Sequence, residues 1–506
     1  MHKFNINFKN IICIIWVLSV IVTMLFAVSC GEAESGAGGN NNADNQANNG
    51  LPGEAEDSER ENNQANFVND DLGHFDFNGY IFRVLAREDW RLDAEEQDGE
   101  ILNDAIYRRN RNVEERFNFK FREILFDTYD VAPVTRTALL AGDNSYDIML
   151  IRGPTAYEYA SQGMLRPMTD LNYVDFDKPY WDSWLTDQFT IANKIFFAAG
   201  DYDIQNYGAA AMLFNKNIAR DLGIPDIYST VRDGEWTFEK FREYGKAAIR
   251  DLNGDGRIAA EDQHAYLGVT RNIQPSFWIA GGAKSISFDE DNMPYLSALD
   301  ERFINVWFKM VDILVTDSVW FHDVADPNEL THERVDLWNN TFRDGRSLFI
   351  GGGVGSAKDF RDMEIDFGII PYPKYDERQE DYYSQLAWIE PVSLPAYTTD
   401  DDMDRTGVIL EALACESYNL VTPVYIEIVL NTKYTRDDES EEMLGIIFAN
   451  RVFDWGDTIW TPLLRDGIFP HIFVSDSDTI VSRLERAERN INREIDKMVD
   501  AFMNLD

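Results

Sequence analysis

The densest run of oxygen donors in the sequence is Asp251-Leu-Asn253-Gly-Asp255-Gly256-Arg257-Ile258-Ala-Ala-Glu261-Asp262. A calcium ion held in a 12-residue loop needs side-chain oxygens at positions 1, 3 and 5, a glycine at position 6 and a carbonyl at position 7. Asp251, Asn253, Asp255, Arg257 (through its backbone carbonyl) and Asp262 are therefore expected to ligate Ca2+, with a water at Ala259. Asp262 stands where the longer Glu is usual. The same residues would also make a plain Asn-Gly/Asp-Gly turn. Only one copy of the loop occurs, so the ion is expected as a structural staple between a helix and the next segment.

Other chemistry-bearing patterns fall short. Ser347-Leu-Phe-Ile-Gly351-Gly-Gly-Val-Gly355 follows a strand as a dinucleotide loop does, but Ser356 and Lys358 stand where the last small residue belongs. Gly281-Gly-Ala-Lys-Ser lacks the glycine before its lysine, and His332-Glu333 has no second histidine at zinc-protease spacing. No Gly-x-Ser-x-Gly elbow occurs. The many carboxylates nominate no glycosidase pair, because that chemistry rests on a spacing in space. No enzyme is expected.

The composition narrows the class further. The 506 residues carry 46 Lys and Arg against 89 Asp and Glu, a formal charge of −43. So acidic a chain lacks the cationic stripe that nucleic-acid binding requires. Its 44% hydrophobic content supports sizeable cores. Three cysteines, Cys13, Cys30 and Cys415, are too few for a disulfide framework.

Residues 1–29 combine a short basic start with an apolar run from Ile11 to Val28, a secretory signal in pattern. The run ends in Ala27-Val28-Ser29-Cys30-Gly31, which resembles a bacterial lipoprotein signal. That resemblance implies a lipidated Cys30 as mature N-terminus and a membrane anchor on the extracytoplasmic face. Residues 30–75 are rich in Asn, Gly and Glu and are expected to form a flexible tether, since such a tract buries too little apolar area to offset its ordering entropy.

From Tyr80 onward strands alternate with helices. Strands are expected over 80–86, 119–125, 146–151, 195–199, 211–214, 347–350 and 367–370. One helix carries Leu102, Ala105, Ile106, Val113 and Phe117 on one face; another runs 237–249 behind Thr237 as N-cap. A last helix spaces Leu484, Ala487, Ile491, Ile495, Met498 and Phe502 three or four apart. Cys415, Trp455 and Trp460 are expected in the core. The fold class is α/β.

Four passages then resemble the extracellular solute-binding proteins of ABC importers, in the sugar-binding, maltose-binding-protein-like group. They are Tyr146-Asp-Ile-Met-Leu-Ile with Gly163-Met-Leu165, Leu213-Phe-Asn215-Lys216 with Pro225 and Trp236, Phe342-Arg-Asp-Gly345, and Phe367-Gly-Ile-Ile-Pro371. Ser347 and Leu348 depart from the two alanines of the third passage. The resemblance implies a two-lobed, type II periplasmic-binding-protein-like fold with crossing hinge strands, closing on a solute. It also implies delivery to an ABC transporter permease. Lobes over 76–200 plus 370–418 and over 201–369 plus 419–506 are expected, crossing near 198–203 and 366–371, in a monomer. A sugar site calls for flat aromatic plates and a few charged partners at the carboxyl ends of strands. Trp90, Trp278 and Trp388 are the expected plates; Arg152 and Asp201 are the expected polar partners, with Gly351 to Gly355 allowing close backbone approach. A surface-anchored glycan hydrolase and a calcium-dependent glycan adhesin remain open as alternatives.

Overall fold

A computed structural model describes residues 67–88, 92–127, 130–191, 194–203, 208–321, 332–360, 362–386, 389–431 and 438–505. The signal segment, Cys30, Trp90 and Trp388 lie outside these residues. Two sheets organise the chain. The first has strand order β2-β1-β3-β12-β4, from Tyr80–Arg87 (β1), Phe119–Phe126 (β2), Ile148–Leu150 (β3), Leu165–Arg166 (β4) and Val392–Pro395 (β12). The second has order β10-β5-β9-β6, from Ala210–Asn215 (β5), His264–Leu267 (β6), Ser347–Gly353 (β9) and Phe367–Ile370 (β10). Among the described residues two short pairs complete the set: Ile286–Phe288 (β7) with Pro294–Leu296 (β8), and Ser384–Gln385 (β11) with Arg451–Val452 (β13).

Local chemistry explains these elements. In β1, Phe82, Val84, Leu85 and Ala86 are all fully buried, as a strand inside a parallel sheet requires. Its partner β2 lies parallel at the edge and alternates Phe119 and Phe121 with Lys120 and Arg122. Phe82, Phe119 and Phe121 meet edge to face at 4.9–6.2 Å. The helix Ile101–Phe117 (α1) starts where the Glu100 carboxylate accepts the Asn103 amide at 2.7 Å and stops at Asn118, with φ 52°. Thr237 caps Phe238–Ala248 (α2) as expected, accepting from the Lys240 amide. Further helices are Thr270–Ala280 (α3), His332–Arg343 (α4), Asp400–Asn431 (α5) and Ile480–Met503 (α6). The apolar stripe of α6 is buried at Ile480, Leu484, Ile491, Ile495, Val499 and Phe502.

Several boundaries differ from expectation. Residues 195–199 form no strand; their hydrogen bonds go to scattered partners. The Ile195 carbonyl accepts from Met168, the Ala199 carbonyl from Asp182, and Ala198 bridges Val392. β10 does not cross between sheets but pairs antiparallel with β5. The chain therefore crosses between the Ala198↔Val392 and Ala209↔Leu386 bridges, and returns between Leu386 and Val392 rather than at 366–371. The expected boundary at 418 falls inside the continuous helix α5, which itself passes between the halves: Met403 to Cys415 and Tyr418 pack on the first-sheet core and Tyr425 on the second-sheet core. The ordered body also begins before residue 76. Val68, Leu72, Phe75 and Phe77 pack on the first-sheet core, and Asp70 pairs with Arg116 at 2.5 Å.

One core fills the first sheet and α5, and another lies beneath the second sheet with Trp338, Phe342 and Phe360. A third runs across both, joined by the C-terminal segment: Trp455 meets Tyr157 at 4.8 Å and Phe288 at 5.0 Å. Each fully buried Leu or Phe there stabilises the fold by about 1.5–3 kcal/mol. Trp455, Trp460 and Cys415 are core residues, and burial pushes the Cys415 thiol up to about 12.

Candidate functional site

A cavity of about 720 Å³ opens between the two sheets. β6 and β9 run parallel, so their carboxyl ends meet at this cavity, contributing Gly268 and Ile350 to Gly353. Gly351 has a packing reason to be glycine: a Cβ there would overlap the Tyr266 and Tyr372 hydroxyls, which lie 3.0 Å from each other. The backbone of the glycine run is thereby bare toward the cavity. Across from it, α1 supplies Leu102, Ile106 and Arg109, and the first crossing supplies Tyr202 and Asp203.

Arg109 sits on the apolar stripe of α1 between Ala105 and Val113, with 2% of its surface exposed. Its guanidinium donates to the Tyr202 carbonyl at 3.0 Å, Ser417 Oγ at 3.1 Å, Asn110 Oδ1 at 2.8 Å and the Leu92 carbonyl. Burial pulls its pKa down to about 10, against the pull of Asp93, Glu123, Asp203 and Glu416. Tyr202 extends the clasp: its hydroxyl donates to the Ala198 carbonyl at 2.8 Å and accepts the Val392 amide at 3.2 Å. One side chain thus ties the two crossing segments together.

The cavity floor is built differently. Ser276 from α3 and Gln385 from β11 line it, and Ser276 Oγ lies 2.7 Å from Gln385 Oε1. Gln385 Nε2 donates to Asp457 at 2.6 Å, and Asp457 faces Arg465 at 3.3 Å. Burial pushes the Asp457 carboxyl up to about 6, opposed by Arg465. Trp338 and Phe360 add apolar wall on the second-sheet side.

The expected site residues divide. The glycine run lines the cavity as expected, and so do Tyr202 and Asp203, the neighbours of Asp201. Asp201 itself turns away, accepting from Thr422 Oγ1 of α5 at 2.9 Å, and burial pushes its carboxyl up to about 6. Arg152, at the start of helix Gly153–Ser161, approaches Glu390 at 3.6 Å beside the second crossing, where Arg87 also pairs with Glu390. Trp278 is a correction: it is fully buried in α3, packed on Phe303 and Phe469, and its Nε1 donates to Asp454 at 3.0 Å. A tryptophan with its N–H satisfied inside the core has no face left for a solute. Trp90 and Trp388 fall outside the described residues. Sequence reasoning missed Arg109, Ser276, Gln385 and Trp338. Only Arg109 left a trace, as a charge on an otherwise apolar helical stripe.

The 251–262 loop curls with Gly254 and Gly256 at φ 79° and 80°. Asp251 accepts the amides of Gly254 and Gly256, Asn253 that of Asp255, and Asp255 that of Arg257. Asp262 accepts from Leu252 and Ala259, both at 2.8 Å, which holds its carboxyl below the usual range. Among the described residues, no three or more His, Cys, Asp or Glu side chains gather as a metal-holding group.

Two α/β halves, linked by paired crossings and flanking one cavity, define the type II periplasmic-binding-protein fold, that of ABC solute-binding proteins. Solved structures bear out the fold. An ABC substrate-binding protein from Listeria monocytogenes in complex with cycloalternan superposes with TM-score 0.54 at 14% identity, over 82% of this chain and 98% of that one. The maltose/maltodextrin-binding domain of Bdellovibrio bacteriovorus bound to maltotriose gives 0.53 at 14% identity, over 82% and 99%. UgpB from Mycobacterium tuberculosis, in complex with glycerophosphocholine, gives 0.53 at 15%, over 82% and 99%. No family model and no curated protein matches the chain in sequence.

Proposed function

We propose that the protein is a lipid-anchored, extracytoplasmic solute-binding protein that captures an oligosaccharide by closing its halves and passes it unaltered to an ABC transporter permease. The observation that carries this reading is the cavity of about 720 Å³, walled by both halves and lying beside the two crossing segments. A solute touching both walls favours the closed state by its differential affinity for it. The mix of apolar wall, bare glycine backbone and a few fixed polar groups suits a sugar, which offers an apolar face and a rim of hydroxyls. Similar proteins bound to cycloalternan and maltotriose favour this class. The halves are assigned to the first sheet, up to Ala198 and again from Val392 into α5, and to the second sheet, from Ala209 to Leu386 and again through Leu444 and Ile447, which pack beneath it.

A thermal-shift screen over neutral oligosaccharides tests the reading, because a ligand bound by the native state raises the melting temperature by mass action. Recovery of the glycan intact separates capture from hydrolysis. Loss of membrane attachment in Cys30→Ser tests the anchor. Calcium belongs to the same proposal: Asp251, Asn253, Asp255, the Arg257 carbonyl and Asp262 offer hard oxygen donors in the order a calcium loop uses. Chelation is expected to lower the melting temperature, and Asp251→Ala to remove that response.

A further inference from the structure

The polar groups of the cavity floor form a chain with one ambiguous proton. Ser276 Oγ has two acceptors in reach, the Asn272 carbonyl at 2.8 Å and Gln385 Oε1 at 2.7 Å, and one hydrogen to give. Gln385 lies between Ser276 and the fully buried Asp457, whose carboxylate can only accept while ionised. Two complete hydrogen-bond patterns follow. With Asp457 ionised, Gln385 Nε2 donates to it and Oε1 accepts the Ser276 proton. With Asp457 protonated, its O–H donates to Gln385 Oε1, Nε2 donates to Ser276 Oγ, and the Ser276 proton passes to the Asn272 carbonyl. The carboxamide turns over between the two. Its remaining N–H and its remaining lone pair exchange places on the cavity side.

We propose that Gln385 is the residue that reads a hydroxyl of the bound solute at the cavity floor, and that Ser276 and Asp457 are positioning residues that set which face its carboxamide presents. The inference rests on the solute-binding reading above. The charges facing Asp457 are Arg465 at 3.3 Å and the Asp454 carboxylate, the latter committed to Trp278, Ser285, Ile286 and Gly456. Beyond them lie Asp466, paired with both Arg465 and Arg271, and the half-buried Lys284 near Asp454. Arg465 keeps Asp457 from losing its partner in either state. Burial sets the exchange near pH 6, so acidification inverts the donor and acceptor pattern that the solute meets.

The test uses the full chain labelled with 15N-glutamine, the Gln385 side-chain amide being identified by its loss in Gln385→Ala. Its resonances are expected to move in one step centred near pH 6 in the parent protein and to stay flat in Asp457→Asn. Signals flat across that range in the parent protein overturn the relay. Binding of maltotriose, cellotriose and xylotriose is then titrated calorimetrically. Gln385→Ala is expected to weaken the tightest of them about tenfold, the loss of one hydrogen bond in a buried site. Unchanged affinity overturns the reading role. Absence of binding by all three at every pH counts against the oligosaccharide assignment instead, while the amide titration still decides the relay.

Discussion

The crossing region and the cavity floor are both polar and both buried, yet they differ in what their hydrogen bonds leave over. At the crossings, Arg109, Tyr202, Asp201 and Glu390 are engaged with backbone, hydroxyl or guanidinium groups of the protein itself. On the floor, Gln385 and Ser276 line the cavity itself, and the bonds between them and to Asp457 use only part of their donor and acceptor capacity. A charged residue near a cleft is therefore not yet a ligand residue. Polar groups saturated by the protein hold the halves; polar groups left partly unsaturated can recognise something else.

Substitutions sharpen that contrast. The largest effect is expected at the cavity wall from Gly351→Val, whose side chain must displace the Tyr266 and Tyr372 hydroxyls. A loss of about 3 kcal/mol in chemical denaturation, with solute binding abolished, is the expected outcome. Arg109→Met comes next. It strips the partner from two carbonyls and Ser417, and is expected to cost about 2 kcal/mol of stability and to widen the solution ensemble seen by X-ray scattering. If Arg109→Met instead removed binding without loosening the halves, the division between the two regions would be wrong. Trp278→Phe removes the N–H that satisfies Asp454, and about 1 kcal/mol of stability should go with it while solute affinity is unchanged.

The smallest effect is on pH dependence. Asp201 has a folded pKa of about 6 against 3.8 for the free side chain, so the folded state holds that proton more tightly than the unfolded chain does. Its contribution is fully favourable below the unfolded value and is lost as pH rises through 6. Asp201→Asn is expected to reduce the slope of the stability profile across that window, with Asp457 supplying a share that persists, as urea titrations at stepped pH would record. An unchanged slope would place the titrating group elsewhere.

Much of the architecture was legible because it rests on local signals. The buried run of β1, the cap at Thr237 and the stripe of α6 each follow from residue type and spacing alone. The return crossing was not legible, because Phe367 to Ile370 reads as a buried strand whichever sheet it joins, and only its pairing with β5 decides. The site was half legible. Gly351 announced a close approach, and Asp201 pointed to the first crossing, where its neighbours Tyr202 and Asp203 line the cavity in its place. Trp278 misled, since a tryptophan that plates a sugar and one that donates to a buried Asp454 look alike in sequence. Gln385 gave no signal, because its importance comes from Ser276 and Asp457, which lie 109 and 72 residues away along the chain.

The central claim is that the two halves close around a solute without altering it. Small-angle X-ray scattering of the full chain, with and without the oligosaccharide that most raises its melting temperature, tests this most directly when the glycan is recovered afterwards. The account predicts a smaller radius of gyration on binding and the glycan returned intact. An unchanged radius at saturation, or a cleaved glycan, would contradict it.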